Sequence, residues 1–295
     1  MIYPNSPENI RRAAAMIRAG ELVVIPTETV YGLAASALDE RAVKRIFEAK
    51  GRPASNPLIV HVTGADMARS LASRWPDDAQ ALAGRFWPGP LTIVLPKQPL
   101  IPDLVTAGLP SVALRHPAHP VAQALLAECN LPLAAPSANR FTELSPTRAE
   151  DVPEGLAGMV LDGGSCDVGI ESTVISLACG GRPRILRLGM VGRSAIEAVI
   201  GPVEVGAGSE SPGQHPKHYS PRTPVILGEP PSSGRGVQLD AASMPSDPVA
   251  YAEALYRTLH ELDRRDLDWI AIEPVPDTEE WAAVRDRLRR AAGGE

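Results

Sequence analysis

The chain has 295 residues, a formal net charge of -6, and is 44% hydrophobic and 22% charged. That length allows one domain of roughly 200 residues plus a smaller one, and the composition is that of a folded chain rather than a disordered one. The acidic balance argues against a passive nucleic-acid binder held by a broadly basic surface.

Ser6 and Pro7 predict a helix start, as cap and first-turn residue, and Gly20 predicts its stop. LVVIP (22–26) reads as a buried strand, Asp39 to Lys50 as a helix ended by Gly51, and PLIVHV (57–62) as a strand. Helical patterns follow around 65–73 and 77–86, then strand-like LTIVLP (91–96) and VALR (112–115). A helix at about 120–128 and LPLAAPS (131–137) continue the alternation, and MVLDGG, STVISL and RILRLG add strands between 159 and 189. The 30 prolines favour short elements and extended turns. The expected fold is α/β, with a twisted, partly antiparallel sheet.

Composition shifts near residue 201, where a Gly-, Pro- and Ser-rich stretch without period reads as a linker. PVILG (224–228), GVQLD (236–240), a helix at about 248–264, DWIAIE (268–273) and a last helix at about 278–291 follow it. The expected division is 1–200, a linker over 201–223, and a small C-terminal α/β unit over 224–295. A unit that small has a marginal core and is expected to lean on the first.

The cysteines, Cys129, Cys166 and Cys179, are odd in number and lack CxxC spacing. Neither a disulfide framework nor a zinc site is expected, and a reducing compartment fits. Residues 1–20 carry no signal-peptide pattern, and no run of 18 apolar residues occurs. The expectation is a cytoplasmic protein without a membrane span.

Familiar nucleotide and hydrolase signatures are absent: there is no P-loop, Rossmann glycine fingerprint, HExxH, GxSxG or kinase motif. Four other segments concentrate polar side chains next to apolar strands. They are PTETVYGLA (26–34), KGRPASNPLIVH (50–61), PSAN (136–139) with SPT (145–147), and ESTVI (171–175). Polar residues at strand ends with cations nearby suggest one cleft for a polar, anionic ligand. Each has a plainer reading. Lys50 and Arg52 suit a helix C-terminus as solvated cations, and His61 could be a satisfied strand histidine. Ser137 and Asn139 could cap the next element or form an Asx turn, Thr27 and Thr29 suit strands, and Arg115 could be a surface charge. WPGPLT (87–92) reads as a rigid turn without chemistry.

The strings PTETVYGL, KGRPASNPLIVH, WPGPLTIVL, VALRHPAHP, LAAPSAN with SPT, ESTVI and ILRLG occur in order over residues 1 to about 200. In that order they resemble the YrdC-like domain of threonylcarbamoyl-AMP synthases. SPGQHPKHYSP (211–221) resembles the linker of the longer, two-domain members, and ALYRTLHELD, DWIAIE and RDRLRRAA resemble their C-terminal domain. The resemblance implies a YrdC-like mixed sheet with flanking helices and a Rossmann-like C-terminal unit. It implies a nucleotidyltransferase that joins L-threonine, bicarbonate and ATP into threonylcarbamoyl-AMP and pyrophosphate, with Mg2+. The resemblance further implies that the product serves a tRNA threonylcarbamoyl transferase complex and that the protein itself makes a weak contact to tRNA.

By resemblance, Thr29, His61, Arg115, Ala135 and Ser172 hold threonine or its carbamate. Lys50, Arg52, Asn56, Ser111, Ser137, Asn139, Ser145 and Arg187 line the ATP side, with Lys50 and Arg52 as the catalytic cations. His218 and Tyr219 in the linker close over the nucleotide as a lid. No protein metal ligand is assigned. The sequence departs from the family at Phe141 and Thr142, where a Ser–Gly pair is usual, and at His215, Pro216 and Lys217 in the linker. Its C-terminal unit is also shorter. The rival readings are an RNA-binding module without catalysis and a carbamoyl-transfer enzyme.

Overall fold

A computed structural model describes residues 1–178, 181–206, 208 and 219–293. Cys179 lies outside the described residues, while Cys129 and Cys166 are buried free thiols.

The first helix, Pro7–Arg18, begins where the Ser6 hydroxyl accepts the Asn9 N–H at 3.3 Å, satisfying one of the orphan donors of a helix start. The helix Glu40–Lys50 is capped by Asp39 and ends at Gly51, whose φ of 62° suits a residue without Cβ. Helices Ala65–Leu71, Asp77–Phe86 and Pro120–Cys129 also fall where the apolar spacing predicts them.

The strands in chain order are β1 (Ile2–Pro4), β2 (Val23–Ile25), β3 (Gly32–Ser36), β4 (Ile59–His61), β5 (Leu91–Pro96), β6 (Ser111–Arg115) and β7 (Leu133–Ala134). They continue with β8 (Met159–Asp162), β9 (Thr173–Ser176), β10 (Arg184–Arg187), β11 (Glu204–Val205), β12 (Val225–Leu227), β13 (Gly236–Leu239) and β14 (Trp269–Ile272). Among the described residues β1–β11 form one 11-stranded mixed sheet in the order β1-β8-β2-β3-β7-β4-β6-β5-β9-β10-β11. The fold is therefore α/β with a mixed sheet and flanking helices, as expected. Ile17, Leu125 and Leu126 are packed in a core between helices 7–18 and 120–129 and the sheet, each such side chain contributing ~1.5–3 kcal/mol.

Three strands escape the periodicity argument. β3 (GLAAS) is buried at all five positions and built from small residues, so it shows neither alternation nor β-branched enrichment; pairing with β2 and β7 makes it a strand. β1 and β11 are edge strands of 3 and 2 residues. β11 pairs parallel to β10, so the stretch expected as linker opens with a sheet edge. LPLAAPS, conversely, is a strand only at Leu133 and Ala134, with an isolated bridge from Ser137 to Gly32, because Pro132 and Pro136 on either side have no N–H to offer the ladder.

Strands β12, β14 and β13 form a second, all-parallel sheet, covered by helices Pro248–Asp263 and Ala282–Ala291. Its core includes Leu255, Leu259, Ile270, Val284 and Leu288, and also takes in Val30, Leu144 and Ile170 from the larger sheet's loops. At Gly169 (φ 73°) a Cβ would meet the Ala252 carbonyl at 2.4 Å. The helix 248–263 thus lies directly on the segment that leads into β9, and the small unit leans on the first as its size predicts.

Candidate active site

Parallel pairing of β4 with β6 sets His61 beside Arg115 at the carboxyl ends of both strands, the usual side for ligand chemistry in such sheets. The turn after β2 delivers Thr27 and Thr29, and the residues before β9 deliver Glu171 and Ser172. All six line one cavity, together with Arg52, Pro57, Ala135, Pro136, Ser137, Arg187 and Tyr219.

One wall is organised around Arg115. Its Nη2 lies 2.7 Å from Glu28 Oε1 with both side chains buried, and its Nη1 donates to the Thr29 hydroxyl at 2.9 Å. Thr29 and Thr27 share a hydroxyl hydrogen bond of 2.9 Å, and the Thr27 hydroxyl is held by the Val30 backbone. Arg115 is therefore no surface charge. Burial lowers the His61 pKa to about 3, with the Arg115 charge pushing the same way. His61 is a neutral imidazole at physiological pH, and among the described residues neither ring nitrogen has a partner within full hydrogen-bond geometry, with only weaker approaches to the Leu133 and Ile59 backbone.

The opposite wall is organised around Arg187. Its Nε donates to the Ser172 carbonyl at 3.0 Å, its Nη2 to the Ser172 hydroxyl at 3.1 Å and its Nη1 to the Tyr219 hydroxyl at 3.4 Å. Ser172 also shares a 2.8 Å hydroxyl bond with Thr92. Arg52 donates to the carbonyls of Asn56 and Pro57, which curls the 52–57 loop around its guanidinium. Burial lowers its pKa to about 10, so it stays a cation. Fixed, buried arginines lining one cavity attract and orient anions strongly.

The family model described as telomere recombination (Sua5, YciO and YrdC) matches residues 15–189, and that of the threonylcarbamoyl-AMP synthase C-terminal domain matches residues 191–293. The chain belongs to the threonylcarbamoyl-AMP synthase family. It is 42% identical to the threonylcarbamoyl-AMP synthase of Pyrococcus abyssi, over 96% of this chain and 94% of that one. It is 41% identical to that of Bacillus subtilis, over 98% and 94%. A crystal structure of P. abyssi Sua5 complexed with L-threonine superposes with a TM-score of 0.93 at 39% identity, covering 99% of this chain and 98% of that one.

In this member of the family, nine of the expected site residues line the cavity: Thr29, Arg52, His61, Arg115, Ala135, Ser137, Ser172, Arg187 and Tyr219. Five others do not. The Lys50 ammonium is buried and donates to the Ser137 carbonyl at 2.6 Å, and to the Asn139 carbonyl and side-chain oxygen. It holds the PSAN turn from behind, where burial and the Arg52 charge lower its pKa. Asn139 pins the same turn by donating to the carbonyls of Arg140 and Glu143. Asn56 contributes a carbonyl to Arg52. The Ser145 hydroxyl donates to Glu171 Oε1 at 2.6 Å. Ser111 opens the strand that Arg115 closes, about 13 Å along it. His218 lies outside the described residues.

Glu28, Thr92 and Glu171 also build the site, although none is among the residues the sequence motifs single out. Glu28 and Glu171 had a signal, because a carboxylate flanked by strand residues in PTETV and ESTVI needs a buried cation as partner. WPGPLT is more than a turn: it supplies Thr92 to Ser172 and the Gly89 carbonyl to Arg115.

Proposed function

We propose that this chain makes L-threonylcarbamoyl-adenylate from L-threonine, bicarbonate and ATP, releasing pyrophosphate, for threonylcarbamoyladenosine synthesis in tRNA. The observation that carries the reading is two sets of fixed cations lining one cavity: Arg115, bonded to Thr29 and in register with His61, and Arg187, bonded to Ser172, together with Arg52. The first set takes the threonine carboxylate and hydroxyl and the second the ATP phosphates; Ser172, expected on the threonine side, goes with the second because Arg187 holds both its carbonyl and its hydroxyl.

The threonine amine combines with bicarbonate to give the carbamate and water. A carbamate oxygen then attacks the α-phosphorus, and the bond to the bridging oxygen of the β-phosphate breaks as pyrophosphate leaves. The nucleophile is already an anion, so no serine or cysteine has to be activated. The barrier lies in bringing two anions into line, a task for positioned cations. His61, whose pKa is lowered by burial and by the Arg115 charge, serves as a neutral hydrogen-bonding group beside the substrate. Lys50 acts at one remove, by holding Ser137 in place.

Among the described residues no three His, Cys, Asp or Glu are grouped to hold a metal, and Glu28 and Glu171 are each paired with an arginine. That donor set fits Mg2+ carried in on the ATP phosphates, its common mode, where it neutralises phosphate charge. The division into residues 1–200, 201–223 and 224–295 belongs to this reading and is supported by the two separate sheets. So does a cytoplasmic setting, alongside ATP and the tRNA transferase complex that consumes the product. Among the described residues no helix is long and apolar enough to cross a membrane.

The test is pyrophosphate release by the purified chain with MgATP. Release that requires both L-threonine and bicarbonate supports the reading; release indifferent to threonine, or none from folded protein, overturns it.

A further inference from the structure

Among the described residues the least exposed charged residue is not in the cavity. Arg287, on the last helix, is 0% exposed. Its Nε donates to Glu171 Oε2 at 2.7 Å, and its Nη2 donates to two carbonyls, Glu171 at 3.2 Å and Leu188 at 2.9 Å. Those carbonyls immediately precede Ser172 and immediately follow Arg187, the two residues that face each other on the phosphate wall. The guanidinium also stands 5.5 Å from the centre of the Tyr219 ring, a cation–π contact. Glu171 is completed by the Tyr256 hydroxyl at 3.1 Å and by Ser145.

Adhesion between the two units does not call for this arrangement. Val284, Leu288 and Ala291 on the same helix already pack into the shared core, and apolar residues usually hold such a junction at least as well as a buried ion pair. What a rigid guanidinium fork adds is geometry, since one planar group, held by Asp286 on its own helix, fixes the Glu171 carboxylate and two carbonyls across the junction at once.

We infer that Arg287, with Tyr256, is a positioning residue for ATP: the C-terminal unit sets the Ser172–Arg187–Tyr219 face of the catalytic cavity through Glu171. This rests on the assignment of that face to the nucleotide. The threonine wall, built on Arg115, Glu28 and Thr29, takes no hydrogen bond from Arg287 or Tyr256 among those described, so the effect is confined to one substrate.

The experiment is steady-state pyrophosphate release by the full chain, giving kcat and separate KM values for ATP and L-threonine, with thermal midpoints alongside. Arg287→Lys keeps the charge but cannot span the four acceptors, which are Glu171 Oε2, the Glu171 and Leu188 carbonyls and Asp286 Oδ2. Glu171→Gln/Arg287→Met removes both charges and leaves no buried ion alone. In both, KM for ATP rises about tenfold while KM for threonine stays within about twofold, whatever happens to the thermal midpoint. Tyr256→Phe removes one hydroxyl and raises KM for ATP about threefold; it decides the matter if the other variants do not fold. Wild-type KM for ATP in the folded variants, with only a lowered thermal midpoint, overturns the inference and leaves a structural clamp. A wild-type chain without threonine-dependent release sinks the proposed function and this inference with it.

Discussion

Arg115 Nη2 and Glu28 Oε1 stand 2.7 Å apart, with the two side chains only 4% and 7% exposed. The other Glu28 oxygen accepts the Ala118 N–H at 3.0 Å, so the carboxylate is fixed from both sides and the guanidinium is fixed by it. Its Nη1 reaches Thr29 at the cavity wall. The pair keeps a cation in a dry site that would otherwise reject it.

Glu28→Gln therefore leaves Arg115 buried without its counter-charge and should cost ~3 kcal/mol of stability. Urea unfolding reads this as a lower midpoint. The double variant Glu28→Gln/Arg115→Met should regain most of that loss, yet show no threonine-dependent pyrophosphate release. An unchanged midpoint for Glu28→Gln would mean that the pair does not hold the wall.

Lys50 is expected to reveal itself through stability as well as rate. Lys50→Met strands the Ser137 and Asn139 carbonyls that its ammonium now serves, at ~1–3 kcal/mol for each buried acceptor left unpaired. The urea midpoint should fall and KM for ATP should rise together, because Ser137 lines the cavity. A loss of kcat with full stability would show instead that Lys50 touches the phosphates.

His61 predicts an acid limb of stability. Its pKa falls from 6.5 to about 3 on folding, so below pH 6.5 the unfolded chain binds a proton that the folded chain refuses. The contribution is fully present above pH 6.5 and is lost as pH drops toward 3, by at most ~1.4 kcal/mol per pH unit. His116, His119 and His260 are shifted the same way by burial, so His61→Gln should flatten this limb only in part. Urea midpoints between pH 4 and 7 check it; an identical slope in the variant would refute the burial of a neutral ring.

Local order was legible along the chain wherever a single residue decides it. Ser6, Asp39 and Gly51 bound helices through their own side chains or φ, and the apolar runs at 91–96 and 159–162 are strands as written. The ordered motifs also suffice to mark the family, since each keeps its residues within a few positions. β3 was not legible, because small buried residues carry no period, and the linker's opening as β11 depends on the neighbour it pairs with.

The sequence by itself determined the α/β class, the order of elements and the inventory of polar residues beside strand ends. Only the tertiary structure decided what each of those residues touches. Lys50 and Ser137 are 87 positions apart, and Arg287 and Glu171 are 116 apart. Whether such a cation faces a cavity, a carbonyl or a carboxylate follows from strand register and from how one sheet packs on another. Local propensity acts over one helical turn or one strand pair, whereas the cost of burying a charge is settled by whatever partner the whole fold brings within 3 Å or so.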